Sequence, residues 1–353
     1  MSKRSKAFFI NGGAGRVLCS IPALEKYKEE SGDKDFVIVC EGGMDFYRGH
    51  PTLQQHTYEN WHKGLFENHL KDKDIVSPEP YRVNEYFNQN CSLAEAFDIQ
   101  INELKTSRNL PDPTLKLNKM EMIQGYQTVQ EIKQATKKNK VVVIQPFGRS
   151  ISRVGEFLVD QSSRSFEAQN IVNIIEELRK EYAVIVMSEH QLELKTDPDN
   201  VVAVPQIQEM RLWASIINSS DHFLGCDSVG QHIAKALGKS ATVVVGSTFP
   251  KNISYPSFED FDIIDIGKDK RRVYSPIRIS MDDERDRSND EVMMMDAEQE
   301  QDVVDSVRLF MGESEKFEGT FTPTEDKGCC GEIPATENTP AYQFNTKNLL
   351  EEL

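Results

Sequence analysis

The stretch Phe223-Leu224-Gly225-Cys226-Asp227-Ser228-Val229-Gly230-Gln231-His232-Ile233-Ala234 decides the fold of this chain. It begins with apolar residues typical of a buried strand and continues with the spacing of a helix. Asp227 and Ser228 stand between the two and are good helix N-cap residues. The stretch therefore predicts a strand that ends at Cys226 and a helix that follows it directly, as in an open parallel α/β sheet.

This strand end is a candidate ligand site. Ligands of open α/β sheets bind at the carboxyl edge of the strands, and the first N–H groups of a helix attract anions. We expect the N–H groups of Ser228, Val229 and Gly230 to hold a diphosphate. His232, four residues after Ser228, would face the same ligand. The alternative is an ordinary capped helix whose histidine packs against a loop.

The sequence on both sides of this stretch alternates between strands and helices. We predict strands at 141–145, 182–187, 201–204, 222–226, 242–245 and 261–266, and helices at 166–180, 210–218, 229–237 and 297–311. This spacing is that of right-handed crossover units. It predicts a doubly wound α/β domain in the second half of the chain.

The N-terminal part has a similar pattern. A strand is predicted at 7–10, a helix at 16–27 and a second strand at 36–40, with Asn11-Gly12-Gly13-Ala14-Gly15 in the first turn. Glycine allows a close approach of the backbone to a ligand, and the N-terminus of the helix attracts anions. The turn does not fit GxGxxG, so a tight turn without a ligand is an equal alternative.

Two further loops follow predicted strands at the same sheet edge. One is Gly246-Ser247-Thr248-Phe249-Pro250, which would line the crevice beside Asp227. The other is Gln145-Pro146-Phe147-Gly148-Arg149-Ser150, with Arg153 and Arg164 after it. In an acidic chain, arginines grouped at a sheet edge suit a phosphate-bearing ligand. A solvated loop is the alternative for Arg149 and Arg153.

The length of 353 residues is more than one hydrophobic core usually serves, which predicts two domains. We expect an N-terminal α/β domain at 1–138 and a C-terminal one at 139–312. Residues 42–139 form a polar and irregular segment, with helices predicted near 93–104 and 124–134. Residues 313–353 have too few large apolar side chains to form a core, so a flexible tail is expected there.

The bulk composition excludes several classes of protein. The net charge of −16 disfavours a broad nucleic-acid-binding surface. No apolar run approaches the ~20 residues of a membrane-spanning helix, and the apolar run near the N-terminus is too short for a signal peptide. We therefore expect a cytoplasmic protein. The six cysteines, including the adjacent Cys329 and Cys330, follow no metal-binding spacing, so free thiols and no metal site are expected.

The stretch from Asp221 to Pro250 resembles glycosyltransferase family 9, the heptosyltransferase-like enzymes. The family carries D-S-G-x-x-H-x-A-x-A-L-G-x-P, and residues 227–239 are similar to it. The glycine-rich turn with Pro22-Ala23-Leu24 resembles the family's G-x-G-D-x-x-x-x-x-P-A-L. The resemblance covers about 1–28 and 140–250. It does not extend to the segment between Gly42 and Asn139.

The resemblance implies an α/β fold with two Rossmann-like domains that face a cleft, the GT-B architecture. The C-terminal domain would bind a nucleotide-sugar donor and the N-terminal domain an acceptor. Transfer would be inverting, without a metal in the chemical step and without a bound cofactor. The resemblance assigns to the donor Asp227, Ser228, Val229, Gly230, His232, Ser247, Thr248, Arg164 and Gly148, and to the acceptor-side loop Gly12, Gly13 and Gly15.

One departure from the family concerns the chemistry. The acidic residue that follows the N-terminal glycine turn in the family corresponds to Arg16, and arginine cannot take a proton. Val229 also replaces a glycine of the motif, and Lys239 precedes a serine instead of a proline. A carboxylate after the second strand, Glu41 or Asp45, is one candidate for the base.

Arg16 can be interpreted in two further ways. The acceptor is acidic and Arg16 binds it, or the chain is a catalytically silent relative that only binds. We favour an inverting glycosyltransferase whose acceptor is a glycan, a modified nucleobase or a protein. The alternative is a nucleotide-sugar-binding or assembly protein. A dehydrogenase is less favoured because neither glycine turn forms a dinucleotide fingerprint.

Overall fold

A computed structural model describes residues 4–160, 162–253, 255, 259–270, 272 and 291–320 of the chain. Within these residues the fold is built on two sheets whose strands are all parallel, together with one antiparallel hairpin. Most of the predicted tail at 313–353, including Cys329 and Cys330, lies outside the described residues. The mixed α/β class expected from the sequence is confirmed.

The first sheet has the strand order β3-β2-β1-β4. Its central strand, β1, leads through the glycine-rich turn into α1, whose apolar side packs on the sheet. The elements of this part are β1 (Lys6–Ile10), α1 (Ala14–Glu30), β2 (Val37–Cys40), β3 (Thr57–Glu59), β4 (Asp74–Val76), α2 (Asn84–Phe87), α3 (Leu93–Ile101) and α4 (Lys119–Thr136).

The second sheet has the order β12-β11-β10-β5-β8-β9. The strand order reverses between β5 and β10, so their carboxyl ends open the crevice in which doubly wound folds bind ligands. The elements of this part are β5 (Val141–Gln145), β6 (Ile151–Val154), β7 (Phe157–Asp160), α5 (Ala168–Leu178), β8 (Ala183–Val186), β9 (Val202–Ala203), α6 (Met210–Ser219), β10 (His222–Cys226), α7 (Val229–Ala236), β11 (Ala241–Val245), β12 (Phe261–Asp265) and α8 (Ala297–Met311).

The sequence analysis missed four short strands, β3, β4, β6 and β7. β3 and β4 have three residues each and lie at the edges of the first sheet, where Ile75 is 68% exposed. The hairpin of β6 and β7 stands in the segment between Arg149 and Arg164, with Phe157 75% exposed. Such strands lack the buried apolar run by which a sequence marks a central strand.

The segment 42–139 contacts both sheets. α4 packs against α6, and a Cβ on Gly125 would lie only 2.3 Å from the backbone of Ser215, so the glycine allows this close approach. The buried Arg211 of α6 donates to both carboxylate oxygens of Glu121 at 2.6 Å and to the carbonyl oxygen of Asp45 at 2.8 Å. α4, expected within the N-terminal domain, is thus attached to a helix of the second sheet.

His222 attaches α8 to the second sheet. Its two ring nitrogens lie 2.8 Å from Ser240 Oγ and 3.0 Å from Thr242 Oγ1, and its ring stacks on Phe310. Thr242 Oγ1 in turn lies 2.7 Å from the hydroxyl of Ser306 on α8. Burial lowers the pKa of His222 to about 3, so the ring is neutral in the folded protein.

We predict that acid destabilises the fold through this histidine. The unfolded chain binds a proton with a pKa near 6.5 and the folded chain does not, so stability is lost as the pH falls below about 6.5 toward 3. His222 alone should remove about 2 kcal/mol of unfolding free energy between pH 7 and pH 5. Urea unfolding of the His222→Asn variant should give a shallower pH dependence of the midpoint. The same substitution at the exposed His62 is the control, and an unchanged slope in His222→Asn would contradict this assignment.

Candidate functional site

A cleft of about 720 Å³ lies where the first turn of α1 faces the first turn of α7. Both switch points contribute to it, the loop after β1 from the first sheet and the loops after β5 and β10 from the second. The sequence-predicted residues that line it are Gly13, Gly15, Arg16, Gly148, Arg164, Asp227, Ser228, Val229 and His232.

Asp227 is held on all sides at the end of β10. Thr248 Oγ1 donates to one carboxylate oxygen at 2.6 Å, and the side-chain amide of Gln231 donates to the other. The backbone carbonyl of Asp227 accepts from Arg164 at 3.2 Å. Because both carboxylate oxygens are already engaged, Asp227 orders the loop and fixes the start of α7.

The N-terminus of α7 differs from expectation. The N–H of Ser228 donates to Cys226 at 2.8 Å, and the N–H of Gly230 donates to Oε1 of Gln145 at 2.8 Å. A Cβ on Gly230 would lie 2.3 Å from the ring of Phe223, so this glycine is needed for packing. Of the three amides expected to bind a diphosphate, only Val229 has no hydrogen bond recorded among the described residues.

The hydroxyl of Ser228 faces the same cleft. Ser228 is the N-cap residue of α7, but its side chain makes no capping hydrogen bond. It accepts instead from Nε2 of Gln145 at 3.2 Å. Gln145 at the end of β5 thus bridges both sides of the switch point, which the sequence analysis did not anticipate.

Arg164 is positioned by a network of hydrogen bonds centred on Asp160. The hydroxyls and N–H groups of Ser162 and Ser165 donate to Asp160, and Arg164 Nε donates to Ser162 Oγ at 3.2 Å. Burial alone would raise the pKa of Asp160, but these hydrogen bonds hold it below its ordinary value. Burial lowers the pKa of Arg164, but Asp227 and other neighbours outweigh it and raise the pKa, so Arg164 stays charged.

His232 stands at the junction of the two helices. Its Nδ1 lies 3.5 Å from Cys19 Sγ and 3.1 Å from Tyr255 Oη. Burial lowers the pKa of His232 to about 4, although Asp227 acts in the opposite direction. The ring is therefore neutral near pH 7. A Cβ on Gly15 would lie 2.9 Å from the ring, so α1 approaches His232 this closely only because residue 15 is a glycine.

Three predicted donor residues act behind the cleft surface or through the backbone. Ser247 Oγ donates to the carbonyl of Ser162 at 3.0 Å, and Thr248 orients Asp227. Neither is among the residues that line the cleft. Gly148 lines it and donates its N–H to Ser165 Oγ at 2.9 Å. These contacts connect the loops after β5, β7 and β11.

On the opposite wall, Arg16 folds back over the glycine-rich turn. Gly12 has a φ of +96°, and a Cβ there would lie 2.6 Å from Arg16 Cδ. The guanidinium lies over the ring of Tyr81 at 4.9 Å and donates to Asn11 Oδ1 at 3.1 Å. It also contacts Oε1 of Glu79 at 3.3 Å. Glu79 comes from the loop after β4, at the switch point of the first sheet.

The two candidate bases after β2 lie elsewhere. Glu41 is exposed, and Asp45 forms an ion pair with Arg48. Neither is among the residues that line the cleft, and the exposed Arg153 on β6 is not among them either. The sequence did not indicate Glu79, because a carboxylate after a three-residue edge strand has no motif around it.

The far end of the cleft was also missed. It follows β8 and β9 and is lined by Met187, Ser188, Gln206, Ile207, Met210 and Trp213. Side chains with apolar and amide groups at the ends of two parallel strands could accommodate a flat ring beside the switch point. The weak signal in the sequence was that a serine, Ser188, directly follows the predicted strand at 182–187.

The fold was compared with known structures. A glycosyltransferase family 9 protein from Veillonella parvula superposes with a TM-score of 0.61 over 87% of this chain and 97% of its own, at 12% identity. E. coli ADP-heptose LPS heptosyltransferase II gives 0.51 over 87% and 98%, at 10% identity. The chain has the fold of the family 9 glycosyltransferases. The family resemblance of the sequence motifs is thus confirmed at the level of the fold.

A further structure with the family 9 fold contains a nucleotide sugar. The dodecameric, iron-containing heptosyltransferase TibC in complex with ADP-D-β-D-heptose superposes with a TM-score of 0.52 over 87% of this chain and 76% of its own, at 10% identity. No family model and no curated protein matches the sequence. In the described ranges, no helix is long and apolar enough to cross a bilayer, and no group of three or more His, Cys, Asp or Glu side chains could hold a metal ion.

We predict that Gly15→Ala damages the fold and the cleft together. Alanine is the better helix former, yet its methyl group would press on the buried His232 ring, and overpacking of this kind costs about 1–3 kcal/mol. Urea unfolding should give a lower midpoint with an unchanged slope. Gly42→Ala is the matched control, because a Cβ there meets only ordinary contacts at 3.8 Å. Equal midpoints for the two variants would contradict the contact between α1 and His232.

Proposed function

We propose that the chain binds a nucleoside diphosphate sugar in the cleft and transfers the sugar to a hydroxyl acceptor with inversion. The observation that carries the proposal is the position of Arg164, beside the start of α7 at the switch point of the second sheet. The family 9 fold supports this choice among the many uses of a Rossmann-like sheet. The acceptor would lie against the loop after β1.

The diphosphate would be bound mainly by Arg164. Its orientation is fixed by Ser162 and by the carbonyl of Asp227, so the guanidinium needs little reorganisation when charge develops on the leaving diphosphate. The N–H of Val229 and the hydroxyl of Ser228 would add neutral hydrogen bonds. The transfer would need no metal ion, because guanidinium and helix N-terminus together offset the charge.

His232 would act as a neutral partner of the donor. Because its pKa is about 4, the ring of His232 carries no charge near pH 7. It can therefore donate one hydrogen bond to the diphosphate, but it adds no positive charge. Cys19 and Tyr255 hold the ring from behind. The base end of the nucleotide would extend toward Trp213 and Met187.

Glu79 is our candidate for the general base. Transfer to a hydroxyl requires the removal of a proton, and a positioned carboxylate can take it. Two carboxylates of the described residues line the cleft: Asp227 has both oxygens engaged, and Glu189 follows β8 at the far end. Glu79 does not itself line the cleft, but it contacts the lining residue Arg16 through one oxygen and is 39% exposed. Arg16 would position this carboxylate. Glu41 and Asp45, the carboxylates that the sequence analysis named after the second strand, are the alternatives.

A second function has one observation in its favour. Arg16 replaces the acidic residue of the family and is paired with Glu79, so the acceptor wall has a carboxylate that is partly neutralised. A nucleotide-sugar-binding protein without transferase activity fits such a wall. The two functions share the donor site and differ in whether the donor is consumed. A cytoplasmic location remains a prediction for both.

We predict that nucleoside diphosphates stabilise the chain and that Arg164→Gln abolishes the effect. A ligand at 100 times its dissociation constant adds about 2.7 kcal/mol to the unfolding free energy. A thermal-shift series with ADP, GDP, UDP and CDP, alone and as their hexose conjugates, would identify the nucleobase of the donor. The exposed Arg153→Gln is the matched control. No shift with any nucleotide, or the same shift in Arg164→Gln, would refute the donor site.

We predict that Glu79→Gln lowers donor turnover while it leaves the affinity for the nucleoside diphosphate unchanged. Loss of a general base typically costs 10²- to 10⁴-fold in rate. Turnover is measured as release of nucleoside diphosphate from the donor that the thermal series identifies. Either water or an added compound serves as the acceptor in this assay. Glu41→Gln and Asp45→Asn are the controls. A rate loss confined to either control would move the base to that residue, and no turnover in the native chain would favour the silent binder.

A further inference from the structure

Arg149 belongs to a loop of the second sheet, and its guanidinium lies beside the glycine-rich turn of the first sheet. It follows β5, lies exposed at the cleft, and its Nη1 lies 3.8 Å from the position that a Cβ on Gly13 would occupy. No ion pair of Arg149 is found in the described part of the chain. Its guanidinium can therefore bind an anion at the N-terminus of α1. Arg149 takes no part in the hydrogen-bond network that positions Arg164.

Arg16 presents a second guanidinium on the same wall. Its recorded hydrogen bonds go to Glu79, Asn11 and the carbonyl of Pro78, at 3.1 to 3.3 Å. These three bonds leave two of its five N–H groups, and the buried Nε has no partner among the described residues. The central carbon of the guanidinium lies 4.9 Å from the centre of the Tyr81 ring and 5.6 Å from that of Phe97. Arg16 is thus oriented without being fully engaged.

The N-terminus of α1 adds to this charge. Its N-cap is Gly13, which makes no side-chain capping bond, and its first turn contains no acidic residue. The end of the 17-residue helix thus presents its positive dipole to the cleft. Among the described residues that line the cleft, the three arginines Arg16, Arg149 and Arg164 outnumber the two carboxylates, Glu189 and Asp227, although the whole chain has a net charge of −16.

We propose that the acceptor carries an anionic group, a carboxylate or a phosphate, that binds between Arg16 and Arg149 at the start of α1. This inference rests on the proposed function and identifies the chemical class of its acceptor. Arg164 serves the diphosphate of the donor, and the arginine pair on the other wall serves the second anion. A neutral acceptor would leave the two guanidiniums without a partner of opposite charge, apart from the single contact of Arg16 with Glu79.

The experiment measures binding of small anionic sugars to the full-length chain. D-glucuronate provides the carboxylate, D-glucose 6-phosphate the phosphate, and D-glucose the neutral control. Each is titrated in a thermal-shift assay, with and without the saturating nucleoside diphosphate found in the donor screen. We expect one or both anionic sugars to raise the melting temperature while D-glucose does not. The stronger of the two identifies the anion.

The variants separate the two ends of the cleft. Arg149→Gln and Arg16→Gln should each weaken the anionic sugar about 10- to 100-fold, the range for one charged hydrogen bond, and leave the nucleoside diphosphate unchanged. Arg164→Gln should do the reverse, and the exposed Arg153→Gln should change neither. Because Arg149 is exposed, its variant is expected to fold even if Arg16→Gln does not.

Three outcomes would overturn the proposal. One is an equal response to D-glucose and the anionic sugars, and another is no response to any of them. The third is a loss of nucleoside diphosphate affinity in Arg149→Gln, which would assign that residue to the donor. Failure of the donor site gives a different result. Anionic sugars would then still bind without any nucleotide and would remain sensitive to Arg149.

Discussion

The close contact between the first turns of α1 and α7 is the constraint on which the cleft depends. Each helix begins at the switch point of its own sheet, and the two meet where Gly15 lies against the ring of His232. Because a Cβ on residue 15 would lie 2.9 Å from that ring, the glycine sets how near the two sheets approach each other. Arg211 maintains the arrangement from the far side by joining α6 to Glu121 and to the loop at Asp45. The contact of Gly15 with the His232 ring and the buried ion pair of Arg211 with Glu121 thus both hold the walls of the cleft.

The strands that were predicted correctly are those that consist of consecutive buried residues. β5 and β10 have the predicted bounds because each is an apolar run buried on both faces. β4 could not be found in the same way, since its three residues are partly exposed and are identified as a strand only by their pairing with β1. That pairing brings Glu79 beside Arg16, 63 residues away in the chain. No local pattern indicates such a juxtaposition, whereas Glu41 and Asp45 follow a strand that the sequence does predict.

The candidate site was predicted at the level of location and less well at the level of individual atoms. The strand end at Asp227 lines the cleft as expected, but the N–H of Gly230 is taken by Gln145, and Thr248 acts on Asp227 from behind. The motif residues thus divide into those that face the cleft and those that hold the loops. This division depends on the side chain of Gln145, which accepts from the N–H of Gly230 and donates to the hydroxyl of Ser228. No local sequence pattern shows that Gln145 makes these contacts across the switch point. The hydrogen bonds of Asp160 are a similar case, because they join Asp160 to two serines directly after a hairpin that the sequence did not predict.

The distribution of charge in the cleft follows from these contacts. With two amides of α7 occupied, positive charge for anionic groups comes chiefly from guanidiniums, which stay protonated at every physiological pH. His232, with a pKa of about 4, adds no charge above about pH 5. The charge that the arginines and His232 together contribute to the cleft is therefore nearly constant across the neutral range. In a chain of net charge −16, an anion approaches against the overall field, so its binding would depend on local positive charge. Arg16 and Arg164 are held in place by hydrogen bonds, whereas Arg149 is exposed. In the proposed function, Arg16, Arg149 and Arg164 would therefore supply the positive charge for the anionic groups of both substrates.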